Sequence, residues 1–411
     1  MVEIADSTAV RRASSTDRTG RRPQKVTTLP DGKGFAPLTS VTLSEWRALA
    51  ERTVEPNGYY LPDWELAVNA CAHGRTNVSA LSSRSKALAA PDDAGRLIGL
   101  LPAISLWRAC RIPLPALVSA EPYGTLCTPL LDRDIAGDAA AGLLQAARRA
   151  GAHALILRDV MLHGAAIKAF RQVLEQDGMR PRMLHSRLRA ALDASRDADE
   201  LLRDALGAKK LKELRRQRNR LAEHGPVSFV VARGPQDVAS ALETFLELEA
   251  SGWKGRRGTA LKQDEGDTGF IRRAARALAE TGQCEIVSLR AGSIPVAAAI
   301  VLRHQDRAFY FKLGVDERFA KYSPGVQLTL DLTRHLSADP SIRLADSTAA
   351  ADHPMINPIW RGRLAIGDVL IPLRRRDPVV PLIAAALSLR RIIREAARWA
   401  VHAMRRLLKR V

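Results

Sequence analysis

Arg307-Ala308-Phe309-Tyr310-Phe311-Lys312-Leu313 reads as a strand, and Gly314-Val315-Asp316-Glu317-Arg318-Phe319-Ala320-Lys321-Tyr322 leads from it to Ser323-Pro324-Gly325. Ser323 suits an N-cap and Pro324 the first helical position, so a helix is predicted over 323–336. A second strand, Ile342 to Asp346, follows it. Strand, crossover helix and strand make a parallel, right-handed unit. Both strand C-termini and the helix N-terminus then meet at one edge of a sheet. Free N–H groups near Gly325 suit a phosphate there, and Lys321 adds a positive charge on the approach. The same pattern also suits a purely structural crossover.

Working backward, Glu285–Leu289 and Ile294–Arg303 form a hairpin with Gly292 at its turn. Helices over 236–250 and 268–280 flank a Gly-rich loop, Ser251 to Gly258, and a strand over Val227–Ala232 opens this half. An earlier half repeats the order of parts: strand signals at Lys86–Ala90 and Arg96–Trp107 around the turn Asp92–Gly95, a helix over 134–150, an apolar strand reaching Asp159, a helix over 163–177 and a strand over 182–192. The repeated order predicts an α/β chain with mixed α+β sheets and duplication of one unit. The expected boundaries are a disordered leader (1–35), an N-terminal half (36–195), a basic helical connector (196–225), a C-terminal half (226–376) and a basic amphipathic helix (377–411).

Charge separates the appendages from the body. Residues 1–35, 203–220 and 374–411 carry +3, +6 and +9, all but one of the net +19. The body is nearly neutral and shows no DNA-reading motif, so no DNA partner is expected. The four cysteines are far apart, which indicates buried thiols in a reducing compartment. That cysteine pattern makes the cytoplasm the expected location, and no apolar run is long enough to span a bilayer. Glycine-rich nucleotide loops, nucleophile elbows and metal-ligand spacings are missing, so no metal is expected.

The run Ile294–Leu336, with Pro295, Phe309 to Gly314, Asp316-Glu317 and Tyr322-Ser323-Pro324-Gly325, resembles the CelD-type acetyltransferases of the GNAT superfamily. Those are related to the FemAB/FemX aminoacyltransferases, which carry two GNAT-like halves. Trp253-Lys254-Gly255-Arg256, Gly258 to Leu261 and the basic helix Leu211–Glu223 add to the match. The resemblance implies tandem GNAT-like halves and transfer of an acyl or aminoacyl group, often in polysaccharide or envelope biosynthesis. It also implies acyl-CoA as the donor. One departure bears on acetyl-CoA itself, because the usual glycine signature survives only loosely as Lys321 to Val326.

On this resemblance, Gly314 offers an oxyanion donor, and Lys321, Ser323, Gly325 and Val326 a donor-binding loop. Asp346 is the expected base, Tyr322 the acid, and Lys312 a third catalytic candidate sharing a sheet face with Tyr310. Trp253 and Lys254 suit a substrate lid, and Arg215, Arg216 and Arg218 a phosphorylated acceptor. The expected function is acyl transfer to an amine or hydroxyl of an envelope or exopolysaccharide precursor, the acceptor being sugar- or lipid-linked. The alternative is a catalytically silent GNAT-like scaffold regulating polysaccharide assembly. In the last segment, Leu389, Ile392, Ile393, Ala396, Ala400, Ala403, Met404, Leu407 and Leu408 form one helical stripe among arginines. That pattern suits an anionic membrane surface, and equally a helix docked on the protein's own body.

Overall fold

Val296-Ala297-Ala298-Ala299-Ile300-Val301-Leu302 is apolar without alternation, and every one of these side chains is fully buried. A strand of this kind needs cover on both faces. Ala298, Ile300 and Leu302 join one core, while Ala297, Ala299 and Val301 join another across the sheet.

The computed structural model describes residues 35–85 and 95–408. Its first part holds β1 (Phe35–Pro37), α1 (Leu43–Glu51), α2 (Pro62–Cys71), β2 (Ser79–Ser85), β3 (Arg96–Ser105), α3 (Leu106–Cys110), β4 (Ala116–Ser119), β5 (Leu130–Leu131), α4 (Ala136–Arg149), β6 (Ala154–Met161), α5 (Ala165–Gln176) and β7 (Arg182–Asp193). The connector is α6 (Ala198–Leu221). Then come β8 (Val227–Ala232), α7 (Pro235–Ser251), α8 (Trp253–Arg256), α9 (Glu265–Glu280), β9 (Cys284–Ala291), β10 (Ile294–His304), β11 (Arg307–Val315), α10 (Pro324–Ser337), β12 (Leu344–Asp346), β13 (Gly362–Pro372) and α11 (Val379–Leu408).

The strands form one mixed sheet in the order β1-β2-β3-β4-β6-β13-β7-β12-β11-β10-β9-β8, with β5 beside β3. The order reads alike from either end. In each half a parallel pair, β4 with β6 and β11 with β12, follows a run of antiparallel neighbours. The closing strands are exchanged. β7, which ends the first half in sequence, pairs with β12, and β13, which ends the second, pairs with β6. The two closing strands also pair with each other, so the sheet is continuous. One core runs beneath both halves, collecting Trp46, Trp64 and Leu143 from the first and Phe245 and Phe270 from the second.

Several expectations change in detail. The connector is, as expected, two joined helices, and the joint falls at Gly207, whose φ of 71° and ψ of 162° break the helix at a residue without a Cβ. The expected loop after Ser251 contains the short α8. Asp159 lies inside β6, not at its end, with a positive φ of 46°. β1 and β4 were not anticipated; both are short and lack an alternating pattern. The strand signals at Lys86–Ala90, most of the Asp92–Gly95 turn and the leader before Phe35 lie outside the described residues.

Candidate functional site

β11 outruns its parallel neighbour. β12 pairs with it only at Arg307–Phe309, and from Tyr310 to Val315 no strand among the described residues continues on that side. The chain after Asp346 turns away instead, with Thr348 at a positive φ of 51°. Thr348 Oγ1 then donates to the Tyr310 carbonyl at 2.7 Å, taking the place of a ladder bond. On the other side, β10 and β11 slip register so that Phe311 is the extra residue of a bulge. The opening holds a cavity of about 480 Å³. Its walls are the free length of β11, the start of α10, Lys254 and the 347–356 segment.

The start of α10 faces this cavity through Ser323, Pro324, Gly325 and Val326. Gln327 N–H is bonded to the Ser323 carbonyl at 3.0 Å. Pro324 has no N–H, so Gly325 and Val326 hold the first-turn donors that lack an intrahelical acceptor. Ser323 occupies the cap position but makes no side-chain cap bond and sits in the left-handed region, at φ 53°. The turn over 317–322 delivers it there, and Pro324 still opens the helix as expected.

A charge cluster forms the opposite wall. Glu249, buried on α7, accepts from Lys254 Nζ at 3.1 Å and from Lys312 Nζ at 3.2 Å. Its second oxygen accepts the Leu261 N–H at 2.9 Å. Burial pushes the Glu249 carboxyl up, but the two ammonium groups and the Leu261 N–H outweigh this and leave it below its usual value. Burial lowers Lys254, with Glu249 opposing that shift. Lys254 Nζ also donates to the Leu313 carbonyl at 3.1 Å. Tyr310 is pushed up to about 12 by burial, while its hydroxyl shares a hydrogen bond with Thr329. His353, also on the wall, is lowered by burial. Its Nδ1 accepts the Met355 and Ile356 N–H groups, leaving Nε2 to carry the proton of the neutral ring.

Of the residues expected from sequence, Lys312, Tyr310, Lys254, Ser323, Gly325 and Val326 come together here. Others do not. Asp346 is fully buried, its carboxylate accepts from Arg189 Nη1 and from the Thr348 N–H, and it is not among the residues that line the cavity. Tyr322 packs in the second core, shares a hydrogen bond with His224 and is not among the residues that line the cavity. Lys321 is exposed and lies over the Tyr322 ring. Gly314 accommodates α7 instead of lining the cavity: a Cβ there would meet the Glu249 backbone nitrogen at 2.9 Å. Arg215 lines a separate groove between α6 and α10, and Arg216 pairs with Glu213 on the surface. The Trp253 side chain lies outside the described residues. Glu249, Thr348 and His353 were not anticipated. The signal available for Glu249 was an acidic residue on the apolar side of a helix otherwise patterned for burial.

A model of an acetyltransferase (GNAT) domain matches residues 208–353, which contain Glu249, Lys254, Lys312, the start of α10 and His353. No curated protein sequence matches the chain. Among solved structures, the crystal structure of FemX is similar at 13% identity and a TM-score of 0.53, covering 84% of this chain and 98% of that one. The C-terminal domain of a putative lysylphosphatidylglycerol synthetase from Agrobacterium fabrum aligns at 12% identity and a TM-score of 0.49, covering 84% and 96%. The chain thus carries a GNAT-type domain match in its second half and shares the overall fold of FemX.

Proposed function

We propose that this chain is an acyltransferase whose reaction takes place in the cavity beside β11. The observation that carries the reading is the meeting of three features at one opening: a strand edge with no partner among the described residues, the first turn of a helix, and a cationic pair held by a buried carboxylate. The free edge suits the extended arm of an acyl thioester, and the helix start suits its phosphates. Acyl-CoA is therefore the first donor to test, with aminoacyl-tRNA as the second because of the FemX-like fold.

In this reading the acceptor nitrogen or oxygen bonds to the acyl carbon, and N–H groups along the free edge of β11 hold the oxyanion. The carbon–sulfur bond then breaks. The Lys254 ammonium gives its proton to the departing thiolate, and the proton released by the acceptor returns to Lys254. Lys312 keeps the carboxylate between them charged. The CelD-type resemblance of 294–336 adds an amine or hydroxyl of an envelope or exopolysaccharide precursor as acceptor, and assigns the two sequence halves to duplicated GNAT-like units.

The test is intact mass spectrometry of ligands retained by the purified protein, followed by turnover with a panel of acyl-CoA thioesters and with charged tRNA. Retention and consumption of one donor class is expected. A protein that retains and consumes neither is not an acyltransferase.

A further inference from the structure

The C-terminal helix packs on the protein at its start and carries exposed apolar side chains further along. Ile383 and Ala384 near the start of α11 are buried, and with Leu106, Val118, Ile156 and Leu370 they form a core on the sheet face beneath it. Further along, Leu389, Ile392 and Ile393 are 59%, 59% and 58% exposed, and Leu382 before them is 58% exposed. These four fall on one side of the helix by three- and four-residue spacing, opposite Ile383 and Leu387. Arg390, Arg391 and Arg394 occupy the inner side, where with Arg158 they line a cavity of about 320 Å³ between the helix and the sheet. Arg391 donates to the Leu184 carbonyl there.

Beyond Leu387 this departs from the usual arrangement of a docked surface helix, whose apolar stripe faces its own body. Leaving Leu389, Ile392 and Ile393 in water is unfavourable, and an exposed apolar patch of this kind marks a contact surface. Charge selects the occupant. Residues 374–411 carry eleven basic and two acidic side chains. A second copy would bring two such tails together, whereas an anionic bilayer offers the opposite sign. No helix among the described residues is long and apolar enough to cross a membrane, so contact is in the plane of the interface.

We infer that α11 docks this protein on an anionic lipid bilayer, with Leu382, Leu389, Ile392 and Ile393 in the acyl boundary and the net positive charge of residues 374–411 drawing the helix to the surface. The inference stands apart from the acyl-transfer reading.

The experiment is co-sedimentation of the full chain with phosphatidylcholine vesicles, with and without phosphatidylglycerol, at low and high salt. Binding is expected only with the anionic lipid and weaker at high salt. A combined variant, Leu389→Ser, Ile392→Ser and Ile393→Ser, is expected to bind at least about tenfold more weakly. Its thermal unfolding should match the parent's, because these side chains are exposed. Point variants are used because truncation at Asp377 would also remove the buried Ile383 and Ala384. Failure of the parent to bind, or equal binding by the variant, overturns the inference. So does sedimentation velocity showing a dimer of the parent that the variant loses, because the stripe is then covered by a second copy.

Discussion

Arg189 on β7 and Asp346 on β12 form an ion pair at 3.0 Å in which neither side chain is exposed. The pair bridges the two strands at the place where the halves exchange their closing strands. Arg189 also donates to the Thr125 carbonyl at 2.6 Å, and Thr125 donates to the Thr348 carbonyl. Asp346 is therefore a positioning residue for the cavity loop. Removing one partner of such a pair strands a buried charge, at a cost of about 3–5 kcal/mol. Asp346→Ala should destabilise by that order in urea unfolding, while the folded fraction keeps turnover within about tenfold. A stable variant losing about 10²–10⁴ in turnover would instead return Asp346 to the role of base.

The Glu249 cluster makes a different prediction. Lys254→Met removes the proposed proton carrier and should lower turnover by about 10²–10⁴ with donor binding retained. Glu249→Gln keeps the shape and an acceptor for the Leu261 N–H but removes the charge that holds Lys254 protonated. Because Lys254 acts as the acid, activity falls at high pH as it loses its proton. Loss of Glu249 lowers its pKa further, so the alkaline limb of the pH–rate profile moves to lower pH. An unmoved limb separates the cluster from the chemistry.

At the start of α10, Val326→Glu sets two effects against each other. A carboxylate in the first turn favours the helix by about 0.3–1 kcal/mol through the macrodipole. The same carboxylate occupies the place of a donor phosphate and should weaken donor binding by about 1–2 kcal/mol. Gly325 is a poorer site, because a Cβ there would already meet Leu313 at 3.0 Å. Calorimetry and thermal unfolding on the same variant read both effects. Unchanged affinity would mean that the donor does not reach this helix.

What the sequence disclosed follows from the range of each interaction. The β11–α10–β12 unit was legible because cap, proline and apolar spacing are local. The connector read as two joined helices, the second with Leu211, Leu214 and Leu221 on one side, and Gly207 supplies the joint. The cavity wall was only half legible. Lys312 and Lys254 stood out as cations, but the carboxylate binding both lies on α7, 63 residues before Lys312. Asp346 read as a free strand-end acid because its partner Arg189 is 157 residues earlier, on a strand whose exchange no local pattern marks. His353 sits in a segment without periodicity, where a histidine carries no spacing to read.

A final prediction concerns the grip between the two halves. His304 and Gln305, at the β10–β11 turn, clasp the end of α1. His304 Nδ1 accepts the Asn57 N–H at 2.9 Å, and Nε2 donates to the Ala50 carbonyl at 2.9 Å. Gln305 Nε2 donates to the carbonyls of Ala50, Glu51 and Thr53. Burial pushes His304 down to about 4; the two backbone bonds oppose this, and Arg307 and Arg133 add to it. A proton on Nδ1 would break the Asn57 bond and place an uncompensated charge beside two guanidinium groups. The unfolded chain protonates this histidine near its ordinary value of about 6.5, so between about 6.5 and 4 it binds a proton that the folded state refuses. Stability from this group is complete above about pH 6.5 and falls by roughly 1.4 kcal/mol per pH unit below it, until about pH 4. His304→Gln should be less stable at neutral pH, because one ring bond is lost, yet show a slope of stability against pH that is shallower by one proton over this interval. Urea unfolding at closely spaced pH values measures that slope, and an identical slope in parent and variant would assign the acid sensitivity to other groups.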